Sequence, residues 1–274
     1  MRKFFAYVFG FILISVLLAY LHFDKLAHGQ LHVYFFDVGQ GDSVLIKTPS
    51  DKLILIDGGP DNEVLTELNG VLSFFERKID LMVLTHPHSD HIKGLIPVLE
   101  KFEVGAVLIT GVAYKNAYYD VFLDKISDEG STIYFADDNT DFYLSDGVFI
   151  DVLYPFFEIR DETFENLNNS SIVMKISYKN HEVLLAGDAE VEIEDELVLS
   201  DADLDADLFK ASHHGSKTAN SYDFMKAISP NYAVISCGLG NDFKHPHEET
   251  LETFSLFGVE VLRTDLDGRV EFIF

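Results

Sequence analysis

The sequence has no tryptophan, a single cysteine and only 20 Lys and Arg among its 274 residues. One cysteine, Cys237, excludes an internal disulfide framework and any zinc site built from several thiolates. It sits in the apolar run YAVISC, where a free thiol behaves as core rather than as a nucleophile. Any bound metal must therefore be held by imidazole and carboxylate. The few basic residues face 46 Asp and Glu, for a formal charge of −26. Such a surface repels polyanions and argues against tight passive binding of nucleic acid. A phosphodiester substrate stays open, because divalent cations supply positive charge locally. The missing tryptophan excludes nothing. Proline-rich linkers, repeats and low-complexity tracts are absent as well, so residues 28–274 read as one domain. With 47% hydrophobic residues that length supports a sizeable core.

Charge is also missing from residues 4–23, FFAYVFGFILISVLLAYLHF, which come after Arg2 and Lys3. About 20 apolar residues suffice to cross a bilayer as a helix. The preceding basic pair places the N-terminus inside and the remainder outside the cytoplasm. The run is long for a signal-peptide core, and Leu26-Ala27-His28 is a poor cleavage site. Residues 1–27 are therefore expected to be an uncleaved membrane anchor, with a cleaved signal and a secreted product as the alternative. A buried core helix would rarely lack every charge over this length.

Beyond the anchor the chain becomes a string of short elements. Residues 32–38, 42–48 and 52–58 predict strands joined by Gly and Pro turns. Residues 62–76 carry helical spacing. A strand at 81–85, a helix at 92–102, a strand at 105–110 and a helix at 118–130 come next. Residues 131–170 are less regular, with a strand at 147–155 and an acidic loop at 157–170. Segments 172–178 and 182–187 predict a hairpin. Helices at 190–199, 221–228 and 248–257 then alternate with strands at 207–212, 232–237, 259–264 and 269–274. Hairpins mixed with β-α units in two halves predict a layered α/β domain, mixed sheets covered by helices.

LTHPHSDHIKG, residues 84–94, concentrates the chemistry. Side chains alternate on extended backbone, so His86 and His88 point the same way and suit one metal ion. A turn after them aims Asp90 and His91 at a second position. Two ions about 3.5–4 Å apart suit such a cluster. Imidazole and carboxylate fit Zn²⁺, Mn²⁺ or Fe²⁺. The plain alternative is a solvated histidine-rich turn. One loop cannot complete two sites, and other strands also end in acids or histidines. These are Asp57 in ILIDGG, Asp188 in LLAGD, and His213-His214-Gly215-Ser216 in KASHHGS. Strand ends of this kind converge at one sheet edge in layered α/β folds.

Taken together, Asp57, the H-x-H-x-D-H motif, the Gly187-Asp188 pair and the late His213 resemble the metallo-β-lactamase superfamily. DVGQGDSVLI (37–46), NNSSIVMKI (168–176), KASHHGSKT (210–218) and HPH (245–247) are similar to its branch in the soluble domain of ComEC-type DNA-uptake proteins. The resemblance covers residues 31–274 and implies a four-layer αββα sandwich behind one N-terminal hydrophobic helix. It implies two divalent ions, Zn or Mn. His86 and His88 would hold the first, Asp90, His91 and His213 the second, and Asp188 would bridge them. A water or hydroxide between the ions would be the nucleophile. Asp57 would orient a ligand imidazole from behind. Where many members carry a further histidine, this chain has Asn168 and Asn169, which the ComEC-like branch shares. Those two and His214 are expected behind the ligands, with His214 alternatively on the substrate. Asp90, Asp188 and His245 are expected to act in catalysis. Ser216 and Lys217, beside the unhindered Gly215, are candidates to meet a phosphate. Gln40 and Asp42, in a glycine-bracketed turn, are assigned no catalytic part.

The leading functional expectation is a membrane-anchored, metal-dependent hydrolase of the phosphodiesterase or nuclease kind. Hydrolysis of a small ester, lactone or β-lactam on the same site is the second, since fold does not fix substrate. A non-enzymatic metal-binding ectodomain is the third. One hydrophobic span makes no pore, so a role in DNA uptake does not follow from the resemblance. No obligate protein partner is evident.

Overall fold

The computed structural model describes residues 2–274. Helix α1 (Arg2–Asp24) is followed by β1 (His32–Phe35), β2 (Val44–Lys47), β3 (Leu53–Ile56), α2 (Glu63–Val71) and β4 (Lys78–Val83). Next come α3 (Ser89–Ile92), α4 (Leu95–Leu99), β5 (Glu103–Ile109), α5 (Ala117–Glu129) and β6 (Thr132–Phe135). The second half contains β7 (Phe142–Tyr143), β8 (Val148–Tyr154), β9 (Val173–Tyr178), β10 (His181–Leu185), α6 (Val191–Leu199) and β11 (Leu208–Lys210). It ends with α7 (Tyr222–Ile228), β12 (Tyr232–Ile235), α8 (Glu248–Leu256), β13 (Glu260–Arg263), α9 (Thr264–Asp267) and β14 (Val270–Ile273).

The strands form two seven-stranded sheets, ordered β14-β1-β2-β3-β4-β5-β6 and β13-β12-β11-β10-β9-β8-β7. In the first, pairing is antiparallel from β14 to β3 and parallel from β3 to β6. In the second, it is antiparallel from β7 to β10 and parallel from β10 to β13. Each sheet thus changes pairing at one strand, β3 or β10. The period-two alternation of the strands sorts their side chains between faces. Val33, Phe35, Ile54, Ile56 and Val83 meet Met174, Ile176, Val183 and Leu185 between the sheets. Leu45, Leu55 and Met82 turn outward onto Val64, Leu68 and Phe122 of α2 and α5. Leu184 and Phe209 turn outward onto Ile193, Phe224 and Phe254 of α6, α7 and α8. The result is the expected αββα order of layers.

Some elements differ from expectation. The predicted helix at 92–102 is two short helices hinged at Lys93-Gly94. A Cβ on Gly94 would lie 1.7 Å from the Gly58 carbonyl oxygen, so the hinge exists to let two backbones touch. Gly94→Ala is expected to destabilise the fold by about 3 kcal/mol, the upper range for an overpacked contact. A denaturant midpoint equal to wild type would show that the hinge yields. Helix α2 stops at Val71 rather than continuing to 76, because Leu72 turns extended. Two strands, β6 and β7, lie in the irregular stretch 131–170. Both are edge strands with mostly exposed side chains, so they carry no buried alternation to read.

Candidate metal centre

The loops that leave the C-terminal ends of β3, β4, β10 and β11 meet at one edge of the sandwich. Backbone hydrogen bonds tie them to each other. Gly58 N donates to His91 O at 2.7 Å, Ile172 N to Thr85 O at 3.1 Å, and His213 N to Gly187 O at 3.1 Å. Asp57 stands where β3 ends, in a left-handed backbone conformation. Its carboxylate accepts from Thr85 N at 2.9 Å, Thr85 Oγ1 at 2.7 Å and His91 Nδ1 at 2.8 Å. That last bond leaves His91 Nε2 pointing inward. On the other side His214 Nδ1 faces Asp42 Oδ1 at 3.1 Å and the Ser236 carbonyl at 3.0 Å, so its Nε2 also points inward.

Asp188 lies between them. Its Oδ2 is 3.2 Å from His91 Nε2, 3.3 Å from His214 Nε2, 3.9 Å from His86 Nε2 and 4.0 Å from His213 Nε2. Asp90 Oδ2 lies 3.3 Å from His214 Nε2. His86 Nε2 and His88 Nδ1 are 3.0 Å apart, and Thr85 Oγ1 and Ser171 Oγ hold His86 Nδ1 from behind at 3.2 Å each. Asn168 donates through Nδ2 to Glu190 Oε1 at 2.8 Å, and the same nitrogen lies 3.5 Å from His213 Nε2.

The donor set fits a divalent ion. Ligand atoms of Asp90, His91, Asp188 and His214 all lie within 4.8 Å of one another. His91 Nε2, His214 Nε2 and Asp188 Oδ1 are buried and lack hydrogen-bond partners. Buried polar atoms are rarely left unmatched, and here the unmatched ones converge. Asn168 Oδ1 is also buried and unmatched.

Electrostatics agree. Burial alone would lower the His91 imidazole, but Asp188 and Asp57 hold it well above its ordinary range. Burial likewise opposes His214, while Asp188 and Asp42 raise it well above. Asp188 is pushed up by burial and pulled well below the usual carboxylate range by His214 and His91. His86 is driven well below by burial and then by His91, so its lone pair is free. Without metal, His91 and His214 therefore hold protons that a cation must displace. Metal affinity should rise as pH climbs above the ordinary imidazole range. A calorimetric titration showing no proton release and flat affinity would contradict this picture.

The placement of the expected residues differs at His213, His214, Asn169 and Ser216. His213, expected at the second ion, is partly exposed, with Nδ1 on Glu190 Oε1 at 3.2 Å and Thr218 Oγ1 at 3.3 Å. The inward place belongs to His214. Both residues take left-handed backbone conformations, which rotate His214 into the core of the edge and His213 toward its mouth. Asn169 faces away, accepting from Glu190 N at 3.0 Å and donating to Glu192 at 3.2 Å. Ser216 is buried, its hydroxyl engaged with Thr218 at 2.9 Å, while Lys217 is exposed. His245 is buried at the rim, 5.5 Å from the His213 ring and 6.1 Å from that of His214. Burial, then the charges of His214 and His213, lower its pKa to about 4.

The motifs alone do not reveal the parts of Asp42, Lys210, Ser171 and Glu190. Asp42 pairs with Lys210 as well as His214. The signal for it was the Gly39-Gln40-Gly41 turn. A Cβ on Gly41 would lie 2.2 Å from Asp90 O, and Asp42 N donates to that same carbonyl at 3.3 Å. The turn is glycine-rich because it touches the H-x-H-x-D-H loop.

A family model described as the metallo-beta-lactamase superfamily matches residues 36–239. The chain belongs to the metallo-β-lactamase superfamily. Two curated relatives are ComEC-type competence proteins. The chain is 29% identical to ComE operon protein 3 of Bacillus subtilis (strain 168), over 88% of this chain and 32% of that protein. It is 30% identical to competence protein ComA of Neisseria gonorrhoeae, over 91% of this chain and 33% of that protein. The chain therefore spans about a third of the length of these relatives. Among solved structures, the metallo-beta-lactamase fold protein YhfI of Bacillus subtilis superposes with a TM-score of 0.58 at 14% identity, covering 88% of this chain and all of that one. Superfamily members are usually metal-dependent hydrolases, and the His/Asp groups of this chain are compatible with divalent metals.

Replacing Asp57 tests the orienting contact. Asp57→Ala should weaken metal affinity by about 10–100-fold, the usual effect of losing a carboxylate behind a ligand imidazole. An unchanged metal titration would remove Asp57 from the centre.

Proposed function

We propose that this protein is a metal-dependent hydrolase, anchored to a membrane through α1 with its catalytic face outside the cytoplasm, and that it cleaves phosphodiesters. The observation that carries the reading is the single oxygen of Asp188, surrounded by imidazoles from two separate loops. In this reading His86, His88 and Asp188 would hold one ion, with Asn168 in place of a third imidazole. Asp90, His91, His214 and Asp188 would hold the other. Divalent ions there, Zn²⁺ or Mn²⁺, would polarise a phosphoryl or carbonyl oxygen and lower the pKa of water.

The remaining work falls to the chain itself. Asp57 accepts from His91 Nδ1, and the Ser236 carbonyl, with the Asp42 carboxylate beside it, accepts from His214 Nδ1, which turns Nε2 of each ring inward. His245, neutral near pH 7, is placed to exchange a proton at the rim through Nε2, since Nδ1 lies 3.4 Å from Gln40 Nε2. His213 stands beside it. Lys217 is an exposed cation at the same mouth. Relatives named for competence favour nucleic acid as the substrate.

A second reading draws on one further observation. A cavity of about 340 Å³, lined by Ile109, Val112, Tyr114, Tyr119, Phe135 and Arg160, adjoins the centre where Tyr114 packs 6.2 Å from His88. It suits a small substrate with an apolar part, which the −26 charge would not repel. The two are separated by assaying metal-loaded protein on oligonucleotides with Mn²⁺ beside a panel of chromogenic esters, lactones and β-lactams. Cleavage of oligonucleotide supports the phosphodiester reading, and turnover of esters alone overturns it. A metal-loaded protein inert to all of them would point to a binding role.

A further inference from the structure

Helix α1 has the length and composition of a membrane span. Its apolar stretch Lys3–Asp24 is 22 residues long, has no residue fully buried in its most apolar part, and at 1.5 Å per residue extends about 33 Å. Its C-terminal end does not hang free. His22 Nδ1 lies 2.7 Å from Ser73 Oγ, and the His22 ring meets Phe75 edge to face at 5.6 Å. Lys25 donates to the Gly70 carbonyl, and Lys47 donates to the Lys25 carbonyl at 2.6 Å. The helix therefore comes to rest on the loop 72–77, which joins α2 to β4.

That loop is unusual in what it shows to solvent. Phe74 is 73% exposed and Phe75 55% exposed, adjacent in sequence and in contact with each other at 5.6 Å. Arg77 lies over the Phe74 ring at 5.2 Å, and Lys78 comes directly after it, also exposed. The loop's one carboxylate, Glu76, is turned inward onto Lys47 and onto Ser73 N at 2.7 Å. In a chain of charge −26, the tip thus presents two phenyl rings and the Arg77 cation and turns its acid inward, while Lys78 beside it lies 3.8 Å from Glu103 Oε1. Between the tip and α1 lies a cleft of about 200 Å³, lined mainly by Leu18, Leu21, His22, Leu72, Phe74 and Phe75.

We infer that the Phe74–Phe75 loop is a second membrane contact, inserted among the headgroups and upper acyl chains of the bilayer that α1 crosses. Aromatic rings flanked by Arg and Lys match that interface, where rings enter the apolar boundary and cations reach phosphate. The occupant is a lipid bilayer rather than a protein, because the patch is continuous with a helix whose apolar side chains from Phe4 to Leu17 are exposed. The geometry also sets orientation. The loop precedes the first residue of β4, whereas the metal centre lies beyond its last. Six residues of strand therefore separate the two, about 20 Å. With the loop in the interface, the centre opens away from the membrane.

The absence of tryptophan makes the test clean. Full-length protein carrying Phe74→Trp as its sole tryptophan is reconstituted in phosphatidylcholine vesicles, with and without brominated acyl chains. Leu239→Trp, at the metal-centre end and 79% exposed, is the comparison. The expected result is blue-shifted emission from Phe74→Trp that brominated lipid quenches several-fold more than that of Leu239→Trp. Water-like emission and equal, weak quenching at both positions overturn the inference, as does failure of the full chain to float with vesicles. Should Phe74→Trp fail to fold by circular dichroism, Phe75→Trp gives the same reading.

Discussion

Asp188→Ala should strip the protein of bound divalent metal and reduce hydrolysis by at least about 10⁴-fold, the scale on which groups acting as one unit fail together. The reason is geometric. Asp188 Oδ2 is 3.2 Å from His91 Nε2 and 3.3 Å from His214 Nε2 and also faces His86 Nε2 at 3.9 Å, whereas Asp90 Oδ2 lies 3.3 Å from His214 Nε2 but 4.0 Å from His91 Nε2. Its removal also leaves two buried imidazoles with raised pKa facing each other without their shared counter-charge. Asp188→Asn keeps the volume and one oxygen but not the charge, and should lose metal nearly as fully. Elemental analysis of both purified variants, beside turnover on whichever substrate the screen identifies, checks the assignment. Wild-type metal content in either variant, with activity intact, would end the claim that Asp188 organises the centre.

The second large effect concerns a residue that carries no motif of its own. Asp42 is 3% exposed, and its carboxylate meets the ammonium of Lys210, itself 2% exposed, and the imidazole of His214. Asp42→Ala leaves a lysine charge in the interior with one remaining acceptor, the Gly187 carbonyl at 3.3 Å. Breaking a buried pair from one side costs about 3–5 kcal/mol, because the surviving charge is stranded. The double variant Asp42→Ala/Lys210→Met removes that charge and should recover much of the loss. Metal affinity should be lowered in both, since His214 Nδ1 then keeps the Ser236 carbonyl at 3.0 Å but loses the Asp42 charge beside it. Chemical denaturation and metal titration of the single and double variants separate the two effects. If the double variant is no more stable than the single, the stranded-charge account is wrong. The pair also has a pH dependence. Burial would raise the Asp42 carboxyl, but Lys210 and His214 hold it below its ordinary value. A carboxylate depressed on folding contributes stability present above the unfolded value of about 3.9 and lost as pH falls through the lower folded one. This contribution therefore disappears only in strong acid.

Much of the layered architecture was legible because its strands are buried on both faces or alternate cleanly. Segments such as VLIK and LILI are wholly buried, and their apolar runs end at residues that break the pattern. What failed to show were elements whose existence depends on neighbours. Strand β6 is exposed at a sheet edge, and the short helix Thr264–Asp267 fills a stretch between the strands expected at 259–264 and 269–274. The break between α3 and α4 results from the approach of Gly94 to Gly58, residues 36 positions apart, which no local window contains. The same division runs through the metal centre. His86, His88, Asp90 and His91 are contiguous, and Asp57 and Asp188 stand where apolar strands stop. Asp42, Lys210, Ser171 and Glu190 sit in ordinary local settings and gain meaning only through partners brought from elsewhere.

By itself the sequence determined that the chemistry is imidazole and carboxylate chemistry, since one cysteine leaves no other ligand set, and that it gathers at strand ends. It also determined a charge-free N-terminal helix and the alternation that builds two sheets. Only the tertiary structure gives His213 and His214 different surroundings. They are neighbours of identical type, and nothing local distinguishes them. The left-handed backbone at both positions, and an aspartate 172 residues earlier waiting at Nδ1, turn His214 inward and leave its neighbour at the mouth.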